Sequence, residues 1–400
     1  MPSYRYLIVG GGMTADAAVR GIREVDPNAS IGLIGAEIDP PYNRPPLSKG
    51  LWKGKPLASI WRGTEAQGVD LHLGRTAKTL EPHDQRVTDD QGVTYTFGKL
   101  LLATGGTPRR LRIDDDPTLY FRTVDDYRRL HRLSEQGERF GVIGGGFIGS
   151  EIAAALAMTG KSVTMVFPEE AIGGRVFPHE LSLFLNDFYR RKGVQVLAGQ
   201  AVTDIQRRGG RLVMRIGDRQ EIEVDGVVAG IGLQPNLEPA ATAGLRISNG
   251  IVVDSLLRTS HPDIYAAGDV AAFHNPALGR RIRVEHEDNA NTMGRCAGRN
   301  MAGEATPYRY LPSFYSDLFD LGYEAVGDLN ARLETVANWQ EPYRKGAVYY
   351  LEKGRVRGVL LWNVWQQVEA ARRLIAQPGP FSIVDLEQRV PLPDATAAAM

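Results

Sequence analysis

Cysteine is nearly missing: the 400-residue chain has one, Cys296. A lone thiol excludes an intramolecular disulfide framework, and it excludes a C-x-x-C or C-x-x-x-x-C redox pair. Net charge is missing too, with 47 basic side chains against 47 acidic ones. That balance gives no general support for binding nucleic acid or an anionic membrane. The longest apolar runs fall far short of a bilayer span. The seven histidines are scattered without metal-ligand spacing, so no metal is expected. YRYLIVG reads as a strand from Tyr4, so neither a signal nor a transit peptide is expected. A reducing cytoplasm suits these features. The remaining composition, 43% apolar and 24% charged, is ordinary for a globular chain of two or three domains.

Glycine is not scarce, and its placing carries chemistry. In YLIVGGGMTADAA an apolar strand runs into Gly10, Gly11 and Gly12 before a helix opens. The pattern is G-x-G-x-x-A, with Ala15 in the third place. RFGVIGGGFIGSEIAAALA is a second copy, in which Gly144, Gly146 and Gly149 complete G-x-G-x-x-G. Such glycines permit a tight turn and close approach of backbone to a pyrophosphate, which then meets the N–H groups and positive dipole of the helix start. One such motif is weak evidence; two, each strand–turn–helix, are much stronger. Each is followed at about 20 residues by acids placed for an adenosine ribose: Glu37 after SIGLIGAE, and Glu169 with Glu170 after KSVTMVFPEE. The plain alternative is that these acids are solvated strand-end residues.

Two strand ends and one arm add to the pattern. LLLATGGTP carries Thr104 and Gly105 at a turn. HPDIYAAGDV ends in Gly268 and Asp269, where the acid is placed either for a sugar-like hydroxyl chain or as a helix cap. PYNRPPLSKG sets three prolines around Arg44, Ser48 and Lys49. Prolines stiffen a chain, so this is either a surface loop with two solvated cations or a rigid arm presenting them to an anionic ligand.

The order GGG, PYNRPPLSK, ATGG, GGGFIGSE and IYAAGDV resembles the FAD-dependent pyridine-nucleotide oxidoreductases, across nearly all of the chain. VFPEEAIGGRVFPHELS, VEHEDNANTMGRCAGRNMAG, GYEAVG and GVLLWNVW resemble the apoptosis-inducing factors, with the oxygenase-coupled ferredoxin reductases next. The resemblance implies an α/β fold with two Rossmann-like dinucleotide-binding domains of three-layer ββα/βα type and a C-terminal α+β interface domain. The expected FAD-binding domain is discontinuous, residues 1–112 and 237–307, with GIGLQPN as the return crossing. The NAD(P)H-binding domain takes 113–236 and the interface domain 308–400. In that last part AVYYLEKGRVRGVLLWNVW reads as two strands around a Lys353–Gly354 turn, followed by a helix in VWQQVEAARRLIA.

The resemblance also assigns residues. FAD is expected at Gly10, Gly12, Ala15, Glu37, Arg44, Lys49, Thr104, Gly105, Arg122, Asp269, Glu285, His286 and Tyr315. Arg44 falls to the pyrophosphate and Lys49 to the reactive edge of the isoalloxazine. NADH is expected at Gly144, Gly146, Phe147, Ile148, Gly149, Glu151, Glu169, Arg175, Gly232 and Glu324. Glu169 favours NADH over NADPH by repelling a 2′-phosphate, and Arg175 works against that preference. Lys49 and Glu151 form the catalytic pair, joined across the domain boundary; the alternative for Glu151 is an acid in a first helical turn. A helix is expected to begin between His286 and Asn289 with its positive end at the flavin, and His286 is either a flavin contact or a plain helix-start residue. Arg122 is either a flavin contact or a solvated loop cation. Cys296 is expected as a small buried side chain.

The chain departs from the family at Tyr315, where FYSDL often carries Trp. Residues 328–346 are short and lack the long insertion of the animal apoptotic proteins, so a death-effector role does not carry over. The expected reaction is hydride transfer from NADH to flavin N5, then electron release to an external acceptor such as a ferredoxin, another iron–sulfur protein or a quinone. The alternative is a slow NADH oxidase acting as a redox-sensing, dimerising interaction protein. A homodimer is expected from the resemblance.

Overall fold

The computed structural model describes residues 1–391 apart from 219 and 388. Residues 392–400, the end of the expected interface domain, lie outside the described residues. The chain divides into two compact units: Met1–Arg44, Leu57–Thr107 and Gln234–Pro312 in one; Pro45–Pro56, Pro108–Leu233 and the described residues from Ser313 on in the other. Among the described residues no helix is long and apolar enough to cross a membrane.

The first unit is built on strand Ser3–Val9. It runs parallel to Ile31–Gly35 and to Thr94–Leu102. Asp70–Leu73 and Ile264–Ala266 extend the parallel sheet on either side. Leu7, Ile8, Leu33, Leu100 and Leu101 are fully buried, as expected for parallel strands covered on both faces. The first residues of Thr94–Leu102 also pair antiparallel with Arg86–Asp89, which continues to Ala77–Glu81. One strand thus serves both a Rossmann-like sheet and a meander. Helix Met13–Val25 buries Ala15, Ala18, Val19 and Ile22, one helical face. Helix Glu287–Met301 lies backbone to backbone against it. A Cβ at Gly294 would sit 2.4 Å from the Thr14 carbonyl, and one at Gly298 2.1 Å from that of Ala18.

The second unit repeats the theme. Val194–Ala198, Ser162–Phe167, Arg139–Ile143, Gly226–Ala229 and Leu119–Tyr120 form a parallel sheet in that order. From Ser313 an antiparallel sheet follows, in the order 313–318, 321–327, 355–362, 345–352, 334–341. The Lys353–Gly354 turn has φ of 52° and 72°, the left-handed pair that a two-residue hairpin requires. The expected helix in VWQQVEAARRLIA is shorter, Val368–Ala376. Upstream, Glu324 accepts the Gln366 N–H at 3.0 Å, and Gln366 takes φ 64°, so that stretch is held out of helical geometry. The arm Pro45–Pro56, expected with the first domain, groups here. Trp52 meets Tyr127 edge-on at 5.7 Å, and its indole N–H donates to the Leu47 carbonyl at 2.8 Å.

Asp16, in the first turn of helix Met13–Val25, is fully buried. Arg62 Nε reaches its carboxylate at 2.7 Å, Arg20 Nε at 2.9 Å and the Thr64 hydroxyl at 2.7 Å. Burial works against this charge, yet the bonds from Arg20, Thr64 and Arg62 hold its pKa below the usual value. A depressed carboxylate stabilises the fold at pH above its unfolded pKa, near 3.9, and that contribution is lost as pH falls through the folded pKa. Asp16→Asn should therefore lower stability by about 1.5–3 kcal/mol at neutral pH. In thermal unfolding its Tm deficit should shrink below about pH 4. A deficit that stays constant into acid would show that the charge contributes nothing.

Candidate active site

At the first turn Gly10 has φ 128°, and a Cβ there would sit 2.0 Å from the Ala103 carbonyl oxygen. Gly12, the N-cap of helix Met13–Val25, is different: no side chain caps the helix, and a Cβ there would meet nothing within 4 Å. An open place beside uncapped backbone N–H groups fits a pyrophosphate. Beyond the strand, Glu37 accepts from Tyr42 Oη at 2.5 Å and ion-pairs with Arg44. Burial opposes the Arg44 charge, while Tyr42, Glu37 and Asp269 hold its pKa above the ordinary value. Glu37, Arg44 and Asp269 are thus brought into one electrostatic neighbourhood.

The other expected flavin residues are distributed around the first unit, with exceptions. Gly105 takes φ 63°. Thr104 donates its hydroxyl to the Asn236 carbonyl at 2.7 Å, and the Asn236 amide returns a bond to the Thr104 carbonyl at 2.9 Å. Sequence reasoning did not single out Asn236, though it ends the GIGLQPN crossing. Glu285 pairs with Arg283 at 2.5 Å, and Arg283 also donates to the Asp269 carbonyl at 2.9 Å. His286 is the N-cap of helix Glu287–Met301, where a helix start was expected. Arg122 and Tyr315 belong to the second unit; the Arg122 backbone N–H is held by Asp126 at 3.0 Å. Cys296 is half-buried rather than buried; it lies within helix Glu287–Met301, its thiol 3.5 Å from the Thr306 carbonyl. Burial pushes its thiol up to about 11, far from a reactive thiolate.

The second turn repeats the first. A Cβ at Gly144 (φ 115°) would sit 2.4 Å from the Gly230 carbonyl, and one at Gly149 2.0 Å from that of Gly144. Gly146, the N-cap of helix Phe147–Met158, again faces open space. Phe147 packs edge-on to Phe314 at 5.5 Å, and Ile148 is exposed. The Gly173 N–H donates to the Gly145 carbonyl at 2.8 Å, which draws the 169–175 loop to the turn. Glu169 ion-pairs there with Arg175. A cleft of about 370 Å³ opens alongside, with Glu169, His179 and Arg332 among its walls. Gly232 has φ 98°, and its carbonyl accepts the Arg109 N–H at 2.9 Å. Glu324 holds the Gln366 N–H, and burial raises its pKa, with Gln366 and Arg372 opposing.

Lys49 and Glu151 do meet. Lys49 Nζ lies 2.8 Å from Glu151 Oε1, and the carboxylate is only 4% exposed. The Ser48 hydroxyl donates to Oε2 at 2.5 Å and the Ser316 hydroxyl to Oε1 at 2.5 Å. Because the arm groups with the second unit, the pair lies inside one unit rather than across a domain boundary. Tyr315, 41% exposed, presents its ring 5.2 Å from Lys49 Nζ. Burial, with the Glu151 charge behind it, pushes the Tyr189 and Tyr323 hydroxyls well above their ordinary pKa. Sequence reasoning missed Ser316, since nothing in FYSDL marks it. Ser48 was visible beside Lys49 but had no assigned partner.

Two open glycine turns, each between a parallel strand and a helix, are what a flavin- and pyridine nucleotide-dependent oxidoreductase uses to hold its two dinucleotides. The chain belongs to the pyridine nucleotide-disulphide oxidoreductase family, which it matches over residues 4–294. The C-terminal family of mitochondrion-associated apoptosis-inducing factor matches residues 297–342 and 337–377. Among curated proteins the chain is 34% identical over 429 residues to apoptosis-inducing factor 1, mitochondrial, of Dictyostelium discoideum, covering 96% of this chain and 80% of that one. It is 36% identical over 370 residues to the 5,5'-dehydrodivanillate O-demethylase ferredoxin reductase subunit of a Sphingobium species, covering 89% of each. Among solved structures, a chain of the covalent putidaredoxin reductase–putidaredoxin complex superposes with a TM-score of 0.88 at 29% identity, covering 94% of both.

The glycines divide into two kinds, and alanine should separate them. Gly10→Ala and Gly144→Ala force a side chain into backbone at positive φ. Each should cost about 1–3 kcal/mol in strain alone, before the clash is counted. Gly12→Ala and Gly146→Ala should cost about 1 kcal/mol or less while weakening dinucleotide binding at their own turns. Denaturant melts and titrations of the four variants test this; equal melting losses at all four would remove the distinction.

Proposed function

We propose that the chain is an FAD-containing, NADH-dependent reductase that passes electrons to a ferredoxin-type iron–sulfur protein. One observation carries the reading furthest. The chain has two dinucleotide turns but a single thiol, so electrons that enter from NADH have no internal disulfide to receive them and leave to another molecule. The ferredoxin reductase named among its relatives, of nearly the same length, supports the same acceptor class.

FAD would be held at Gly10, Gly12, Glu37, Arg44, Thr104, Gly105 and Asp269, and the nicotinamide dinucleotide at Gly144, Gly146, Gly149 and Glu169. The flavin supplies the two-electron to one-electron conversion when bound. The protein supplies position and charge. Lys49 keeps a cation at the site, where it offsets negative charge gained on reduction. Glu151 holds that cation in place. Ser48 and Ser316 satisfy the remaining carboxylate lone pairs, as a buried charge requires. The prolines of the arm reduce the freedom Lys49 would otherwise lose on ordering. A cytoplasmic location and a homodimer in the reduced state belong to the same reading. Light scattering that finds monomer in both redox states would reject the dimer.

The match to the apoptosis-inducing factor C-terminal family favours a second reading, a slow NADH oxidase that holds NAD+ against reduced flavin and dimerises. Anaerobic reduction with NADH followed by stopped-flow mixing with acceptors decides between them. Fast oxidation by a ferredoxin supports the reductase. A long-lived charge-transfer band coupled to dimerisation supports the alternative.

Lys49→Met keeps length and apolar stem but removes the charge. Flavin reduction by NADH should slow by roughly 10- to 1000-fold, with FAD content little changed. Glu151→Gln should do less, and the double variant should be less than additive. Unchanged reduction rates in Lys49→Met would return the arm to a stiff surface loop. For the nucleotide, kcat/KM should favour NADH, since Glu169 repels a 2′-phosphate. Its pairing with Arg175 limits the margin, and Arg175→Ala should widen it. A larger kcat/KM for NADPH would sink the preference.

A further inference from the structure

We infer that Arg62 is a positioning residue for the flavin site, an inference that rests on the FAD reading of the first turn. Arg62 lies outside every glycine motif and on no long element. Its guanidinium nevertheless joins three separate parts of the first unit. Nε reaches Asp16 Oδ2 at 2.7 Å, in the first turn of helix Met13–Val25. Nη1 donates to Asn43 Oδ1 at 2.7 Å, and Nη2 to Asn291 Oδ1 at 2.9 Å, within helix Glu287–Met301. Each part carries an expected flavin contact close by. Helix Met13–Val25 starts at Gly12, Asn43 directly precedes Arg44, and helix Glu287–Met301 starts at His286.

The backbone ties are equally specific. The Arg62 N–H donates to the Pro41 carbonyl at 3.2 Å, and the Asn43 N–H to the Ile60 carbonyl at 2.9 Å. The Arg62 carbonyl accepts from Arg20 Nη2 at 2.6 Å, and Arg20 also holds Asp16. Arg62 is mostly buried, its side chain 14% exposed. Its planar fork of donors points along three directions at once. A lysine ammonium on a flexible stem does not reproduce that geometry. The energetic consequence is preorganisation. With Arg62 in place, the turn, the arm base and the helix start are spaced before the cofactor arrives, so less ordering is lost on binding.

The test is FAD affinity and release, read apart from NADH binding and from fold stability. Apoprotein of wild type, Arg62→Lys and Asn291→Ala would be titrated with FAD by flavin fluorescence quenching, and melted without FAD. Arg62→Lys keeps the charge beside Asp16 but breaks the three-way bridge. It should raise the FAD Kd by about 10- to 100-fold, the loss of one to two charge-assisted bonds, and speed FAD release. NADH Kd at the second unit should stay unchanged. Asn291→Ala removes the link to one helix and leaves Asp16 its partners, so it should raise the FAD Kd about 3- to 10-fold with apoprotein Tm near wild type. FAD Kd and release within about twofold of wild type in both variants would overturn the inference, as would equal losses of FAD and NADH affinity, which mark general unfolding. Wild-type apoprotein that binds no FAD would instead overturn the flavin reading itself, and this inference with it.

Discussion

Backbone meets backbone at both dinucleotide turns, and the remainder of each unit is arranged around that approach. Gly10 lies against the Ala103 carbonyl, Gly144 against that of Gly230, and Gly149 against that of Gly144. The first two contacts bring the end of one parallel strand against the end of its neighbour, and the third seats the helix on its own turn, so the helix can start at the carboxyl edge of the sheet. Even one methyl group would separate them. The price is a helix start with no side-chain cap, at Gly12 and again at Gly146. Free N–H groups beside open space bind an anion readily, so the same constraint that sets the packing also creates the site.

Once the turns are in place, each unit buries one acid in the first turns of its helix. Asp16 follows the third position of its glycine pattern by one residue and Glu151 by two. A carboxylate so removed from water is costly unless its lone pairs are filled. In the first unit Arg20, Arg62 and Thr64 fill them, and the network ties the turn to the arm base and a second helix. In the second unit Ser48, Lys49 and Ser316 fill them, and the network draws the arm and the C-terminal sheet to the helix. The first network is aimed at holding, whereas the second retains a lysine beside an exposed tyrosine ring.

The relation to the family rests on the match over residues 4–294 and on the similar relatives rather than on sheet topology, which many unrelated functions share. The family name includes disulphide chemistry, yet Cys296 is the one cysteine in the sequence and is half-buried with its thiol pKa raised. Similarity over most of the chain to a ferredoxin reductase subunit and to an apoptosis-inducing factor accords with a chain that keeps the nucleotide machinery and sends electrons outward.

Much of this was legible in the residues themselves. Both strand–glycine–helix turns, a helix opening between His286 and Asn289 and the Lys353–Gly354 hairpin are local events. Their determinants, positive φ at glycine and alternation of apolar side chains, act within a dozen residues. The Lys49–Glu151 pair was reachable only through resemblance, because 102 positions separate the two in the chain. Tertiary structure alone decided that the arm groups with the second unit, that Ser316 reaches Glu151, that Glu37 shares its carboxylate with Tyr42 and Arg44, and that Arg62 joins two helices to the Asn43 segment. The physical reason is common to all four. A buried charge selects its partners by distance and geometry in space, and polar side chains able to serve occur throughout the sequence, with no periodicity to mark which of them will be near.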